Sequence, residues 1–283
     1  MGLTACPGDG VKVIRLETRP QPPRPAPTDD DGAEEASAPA PFPTAVVALQ
    51  DGPACWASAG SVAIAEHLAG LDLDGMSVVE LGAGSSGLCA LVAAARGARV
   101  SALADCSERA RALVDTSIRC KNDWRKQCNA DVRCLPFAWG NAVVAWETRC
   151  AVGGAHCDIV TLGGGLSTPE DVEGALLSLR ILSRRARDSN LATAPPLPET
   201  VVYLGVGTSD QRMLELLNAA HTSGQYTRKL LSNTKNQAAL FELRWTAEPY
   251  DRTSVAWDFS GAPRPPSPPP SEQGGEDPEA GAD

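Results

Sequence analysis

The chain has 283 residues, 43% hydrophobic, 21% charged and only 5% aromatic, with a formal net charge of −10. That hydrophobic share supports a sizeable core and excludes wholesale disorder. No apolar run reaches the ~18 residues of a membrane helix, and no basic-then-apolar leader opens the chain. The acidity also disfavours nonspecific nucleic-acid binding. Neither a membrane nor a nucleic acid is therefore expected as a partner.

In chain order, Val11 to Glu17 (VKVIRLE) alternates and predicts an edge strand. Thr18 to Pro43 then holds eight prolines and two arginines against five acids, a net of −3. It reads as a disordered, proline-rich acidic linker, so residues 1–43 form an N-terminal extension. Ala45 to Leu49 predicts a short strand. Ala59 to Ala69 has apolar residues at helical spacing. Met76 to Leu81 predicts a strand ending in a glycine turn. An apolar helix follows over Leu88 to Arg96, stopped by Gly97. Arg99 to Ala104 is the next strand. Ser107 caps a helix expected to reach Lys121, and Asp131 to Phe137 is a third strand of the same kind.

Asp158 to Leu162 is a fourth such strand. Thr168-Pro169-Glu170-Asp171 is a helix start, with a Thr cap and Pro at the first helical position, and the helix is expected to run to about Arg187. Thr200 to Val206 is a fifth strand, and a helix capped by Ser209 is expected to reach Ser223. Tyr226 to Leu231 and Gln237 to Trp245 read as a closing antiparallel pair. Ser260 to Asp283 carries seven prolines and one arginine against five acids, a net of −4. Residues 259–283 therefore read as a second disordered tail, and the PPSPPP run there offers a polyproline segment to a proline-recognition domain. Together the two stretches carry −7 of the −10. The domain between them, 44–258, is nearly balanced.

Strands alternating with helices predict an α/β fold with a mostly parallel sheet covered on both faces. The nine cysteines, at 6, 55, 89, 106, 120, 128, 134, 150 and 157, contain no Cys-x-x-Cys pair. They read as reduced, buried thiols of a cytoplasmic or nuclear protein rather than a disulfide framework. Cys150, His156 and Cys157 are the nearest approach to a zinc set and lack a fourth ligand, so no metal is expected.

Parallel sheets bind ligands beyond the carboxyl ends of their strands. The candidate there is VVELGAGSSG, Val78 to Gly87, with glycines 82, 84 and 87 between a strand and a helix. Gly82-x-Gly84-x-x-Gly87 matches the dinucleotide fingerprint in form. Glu80, two residues earlier, would repel a pyrophosphate and favour a cation. Asp105 ends the second strand, where an acid accepts hydrogen bonds from ribose hydroxyls. A ribose, a positive charge and no phosphate describe S-adenosylmethionine, the expected cofactor.

These residues resemble the class I, seven-β-strand S-adenosylmethionine-dependent methyltransferases, and among them the protein-lysine methyltransferase-like group called methyltransferase family 16. The family's Trp segment matches Ala54-Cys55-Trp56-Ala57-Ser58-Ala59, its glycine motif matches Val78 to Gly87 with one residue more, Gly97-Ala98-Arg99-Val100 leads to Asp105, and Trp139-Gly140 follows the third strand. The resemblance implies a Rossmann-like seven-stranded sheet, mostly parallel with a closing antiparallel strand. It also implies a cofactor site lined by Trp56, Gly82, Ala83, Gly84, Asp105 and Trp139. Trp139 would stack on adenine, Glu80 would lie toward the methionyl end, and Gly164 would keep a backbone contact. The implied activity is methyl transfer to a protein side chain, lysine above all, with a protein substrate as partner.

The chain departs from the family after the fourth strand. The family has an acid and an aromatic there, near the substrate amine; this chain reads Leu162-Gly163-Gly164-Gly165-Leu166. No catalytic residue follows from the resemblance. Glu170, Asp171 and Tyr203 are candidates to take over. Two alternatives stay open: a catalytically impaired, methyltransferase-fold binding protein, and a nicotinamide-dependent oxidoreductase.

Overall fold

The computed structural model describes residues 57–108, 110–112, 130–153, 157–183, 199–234 and 238–246, with short strands at 2–5, 12–15, 186–187 and 250–251. The strand expected at Ala45 to Leu49, Trp56, most of the helix expected after Ser107, and both proline-rich stretches lie outside the described residues. β1 (Gly2–Ala5) and β2 (Lys12–Arg15) pair antiparallel in a ladder of their own. The Val11 to Glu17 strand is thus not an edge of the main sheet: a partner six residues upstream closes a hairpin at small entropic cost.

The remaining elements are α1 (Ala59–Leu68), β3 (Ser77–Leu81), α2 (Leu88–Ala95), β4 (Val100–Asp105), β5 (Asp131–Pro136), α3 (Ala142–Gly153), β6 (Ile159–Leu162), α4 (Pro169–Ser183), β7 (Ala186–Arg187), β8 (Val201–Gly207), α5 (Gln211–Thr222), β9 (Tyr226–Thr234), β10 (Ala238–Trp245) and β11 (Tyr250–Asp251). β7 and β11 form a two-residue parallel pair. The main sheet has seven strands in the order β5-β4-β3-β6-β8-β10-β9. Its first five neighbours run parallel, and β10 inserts antiparallel between β8 and β9. The expected Rossmann-like, seven-stranded arrangement is what the chain adopts.

The central strands are buried on both faces, which explains their continuous apolar composition. Alternate side chains feed two cores. Val78, Leu103, Ile159 and Leu240 pack under α1 and α2. Val79, Ala102, Val160, Val202 and Leu243 pack under α3, α4 and α5. Every residue of α2 is buried, as its sequence LCALVAAA requires. α3 escapes the sequence pattern because its apolar residues do not gather on one face; Asn141 starts it, its Oδ1 accepting from the amides of Val143 (3.1 Å) and Val144 (3.2 Å). α4 ends at Ser183, short of Arg187. The cap of α5 is Asp210 rather than Ser209: the Asp210 Oδ1 accepts from Met213 N at 3.1 Å, and an anion there also meets the helix dipole.

One packing constraint holds the site end of the sheet together. α1 crosses the carboxyl ends of β6 and β8 backbone against backbone. A Cβ on Gly60 would meet the Gly205 carbonyl oxygen at 2.2 Å and that of Gly163 at 2.5 Å; a Cβ on Gly163 would meet Ser61 N at 2.4 Å. Ser58, the α1 cap, accepts from Ser61 N at 2.9 Å and donates to the Gly163 carbonyl. Replacing Gly205 by alanine is expected to cost about 3 kcal/mol through overpacking, while Gly70→Ala, whose Cβ meets nothing closer than 3.4 Å, stays within about 0.5 kcal/mol. Urea denaturation of both variants measures the difference.

Candidate functional site

The chain builds β3, β4 and β5 outward in one direction, then returns to place β6 on the other side of β3. The crevice beyond the carboxyl ends of β3 and β6 is therefore the topological switch point, where open α/β sheets bind ligands. Two turns line it: residues 82–87 after β3 and 163–168 after β6.

The first is the glycine turn of the sequence. Gly82, Gly84 and Gly87 have φ of 63°, 56° and 52°, the left-handed region that glycine enters freely. Gly82 N donates to Ala104 O at 2.9 Å, tying the turn to the end of β4. The space beside Gly84 is open: a Cβ there would meet nothing within 4 Å. Gly82, by contrast, lies under the second turn, its would-be Cβ 2.8 Å from the Gly164 carbonyl oxygen and 3.2 Å from Trp139 Cζ2. Ala83 between them is buried.

Glu80 does not present its carboxylate to a ligand at the methionyl end, as the sequence suggested. Its position in β3 points it under α2, where it is 2% exposed and its Oε2 accepts from Ala90 N at 2.9 Å. The amide and thiol of Cys89 also bond it. Burial pushes the carboxyl up to about 7, against those hydrogen bonds; the nearby Asp105 charge raises it further. The first-turn amides of α2, the usual anchor for a phosphate, are thus filled by the protein's own acid.

Asp105 stands at the end of β4, half-buried. Its Oδ2 accepts from Gly84 N at 2.8 Å and its Oδ1 from Ser107 N at 2.7 Å. Those bonds fix the carboxylate and leave each oxygen a second lone pair for a hydroxyl. Trp139 lies beside the turn, its ring edge-to-face with Phe137 (centroids 5.2 Å apart) and its Nε1 donating to Gly165 O at 3.3 Å. The Trp139-Gly140 backbone is seated on α4 at Gly174, where a Cβ would meet Gly140 N at 2.6 Å. The structure thus brings Gly82, Gly84, Asp105, Trp139 and Gly164 together.

The second turn begins as bare backbone, glycine at 163, 164 and 165. Gly164 is buried and Gly165 has φ of 88°, with its would-be Cβ 3.3 Å from Gly82 Cα. The three acids or phenols suggested as replacements do not fill it. Asp171 accepts from Ser167 N (2.8 Å) and Thr168 N (2.9 Å), closing the α4 cap. Glu170 is exposed on the same helix start, where backbone and Thr168 hydrogen bonds hold its carboxyl below the usual range. Tyr203 sits midway along β8 and packs under α1, its ring edge-on to His67 at 4.9 Å. The acid that does reach the turn is Asp210, beyond β8: its Oδ2 would stand 4.0 Å from a Cβ on Gly164. In sequence it stands directly after Ser209, the residue expected to cap the helix, and so carried no signal of its own.

Among the described residues no three His, Cys, Asp or Glu side chains group as metal ligands. None of the five described cysteines forms a disulfide; Cys89 and Cys157 are buried, while Cys106 and Cys150 are exposed, contrary to the expectation of burial.

No model of a known protein family matches the chain, and no curated protein is similar to it in sequence. Solved structures are similar in architecture. A methyltransferase from Pyrococcus furiosus is 14% identical, over 70% of this chain and 88% of that one, with a TM-score of 0.46. Precorrin-6y C5,15-methyltransferase from Geobacter metallireducens is 14% identical, over 70% of this chain and 94% of that one, at 0.44. The ribosomal protein L11 methylase of Lactobacillus delbrueckii subsp. bulgaricus is 16% identical, over 65% of this chain and 79% of that one, at 0.43. The fold class stands on this chain's own strand order and crossovers.

The buried Glu80 predicts a pH dependence. A carboxyl with its folded pKa near 7, above an ordinary 4.5, holds its proton more tightly when folded. Stability therefore falls as pH rises from about 4.5 to 7, by on the order of 3 kcal/mol from this group. Glu80→Gln is expected to flatten that slope, so that urea denaturation at pH 5 and pH 7.5 shows the variant gaining on wild type at the higher pH.

Proposed function

We propose that the chain is a S-adenosylmethionine-dependent methyltransferase of the protein-lysine type, its domain spanning 44–258 and its substrate a cytoplasmic or nuclear protein. The observation that carries this is the pairing of Glu80 with Asp105. Glu80 fills the α2 amides that a pyrophosphate would need, while Asp105 keeps lone pairs for ribose hydroxyls. A nucleoside with no phosphate fits that pair. A dinucleotide does not, which disfavours the nicotinamide alternative. The open space at Gly84 and the Trp139 ring beside the turn suit an adenosine.

When bound, S-adenosylmethionine supplies a methyl group on a cationic sulfur. The chain's residues supply position. The Asp105 carboxylate would orient the ribose, and the glycine turn, open beside Gly84, would let the ligand approach the backbone. Methyl transfer by in-line displacement needs no covalent adduct with the protein.

The second reading, a cofactor-binding protein without turnover, is favoured by one observation: the turn after β6 is glycine at 163, 164 and 165. Incubating the full chain with tritiated S-adenosylmethionine and lysate from cells lacking this protein separates the two. Label in a protein band, with methyl-lysine found by mass spectrometry, is the expected result. Absence of any label, with S-adenosylhomocysteine still bound, would leave only the binding protein. Asp105→Ala is expected to weaken S-adenosylhomocysteine binding roughly tenfold or more, from the loss of charged hydrogen bonds to the ribose.

A further inference from the structure

We propose that Asp210 is the carboxylate that holds the methyl-accepting amine, and that the acceptor is accordingly a cationic amine such as a lysine side chain. This rests on the methyltransferase reading above. Asp210 follows β8, the neighbour of β6, at the end of the sheet where the two turns meet. Its Oδ1 accepts from Met213 N, which fixes the carboxyl plane. Among the described residues nothing donates to its Oδ2, which would stand 4.0 Å from a Cβ on Gly164, a position that Ser58 Oγ flanks at 3.2 Å. The nearest cation along the chain, Arg212, is engaged by Glu215 at 2.6 Å.

The other acids near the crevice are committed elsewhere. Glu80 is bonded to the α2 amides, Asp105 to Gly84 and Ser107, and Asp171 to the start of α4. Asp210 is the half-buried acid that keeps a whole oxygen free on the β6–β8 side, away from the ribose carboxylate. A Cβ on Gly164 would stand 3.2 Å from Ser58 Oγ and 4.0 Å from Asp210 Oδ2, so the Asp210 carboxylate reaches the glycines of that turn. The second turn is therefore complemented from the next strand.

The chemistry of an amine acceptor uses such a group. The ammonium first gives one proton to water. The amine then donates its lone pair to the methyl carbon, forming the C–N bond. The carbon–sulfur bond breaks and its electron pair stays on sulfur, so one proton is released for each methyl transferred. Asp210 accepts an N–H hydrogen bond from the amine, turns the lone pair toward the methyl, and favours entry of a cationic side chain.

The test uses the full chain with Asp210→Asn, Asp210→Ser and Asp210→Glu. Asn and Ser are good helix caps, so α5 keeps its start in both. Three readouts are taken: label transfer from tritiated S-adenosylmethionine into lysate protein, S-adenosylhomocysteine affinity by calorimetry, and thermal unfolding. The Asn and Ser variants are expected to transfer label roughly a hundredfold more slowly, with affinity within about twofold and unfolding unchanged, and the Glu variant to recover part of the rate. An Asn variant within about threefold of wild type overturns the proposal, as does a Glu variant no faster than Asn. A wild-type chain that transfers no label sinks the methyltransferase reading itself, and this proposal with it.

Discussion

A buried carboxylate against the first turn of a helix decides what this site can hold. Glu80 occupies the amides of Ala90 and Cys89 at the start of α2. In a glycine-turn α/β protein that helix end is the natural seat for a phosphate. Here the seat is taken by a group the protein cannot release, because Glu80 lies under α2 with 2% of its surface exposed. Burial raises the carboxyl to about 7, so the group sits close to the boundary between charged and neutral at physiological pH. The cost of burying it is offset in part by the helix amides. The consequence for a ligand is that Asp105 keeps lone pairs for hydroxyls, while the amides of Ala90 and Cys89 are engaged by Glu80.

The second constraint is steric. α1 rides on the ends of β6 and β8 at glycine-to-glycine contacts, with Gly60, Gly163 and Gly205 each lacking room for a Cβ. The same close approach brings Ser58 onto the Gly163 carbonyl and leaves Gly164 and Gly165 stacked against Gly82. The turn after β6 is therefore glycine for a packing reason. Asp210, held by its own helix cap, reaches that turn from the neighbouring strand.

Much of the fold was legible in the sequence, because parallel strands buried on both faces and capped helices leave strong local signatures. SVVEL, VSALAD and IVTL all became central strands, and Thr168-Pro169-Glu170-Asp171 started α4 as expected. α3 was not legible, since its apolar residues do not share a face and only Asn141 marks its start. The site was half legible. Gly82, Gly84, Asp105 and Trp139 converge, because glycines and an acid at adjacent strand ends follow from strand order alone. The direction of Glu80 did not follow, because it depends on which face of β3 carries α2. Nor did Asp210, because Ser209 beside it is an equally good cap in sequence and only the geometry shows which of the two starts α5.

The most direct test of this account is calorimetric titration of the full chain with S-adenosylhomocysteine and, separately, with NAD. Binding of S-adenosylhomocysteine at one site with no heat from NAD is the predicted result. Tighter binding of NAD would contradict it, since a pyrophosphate would then be seated where Glu80 is said to exclude it.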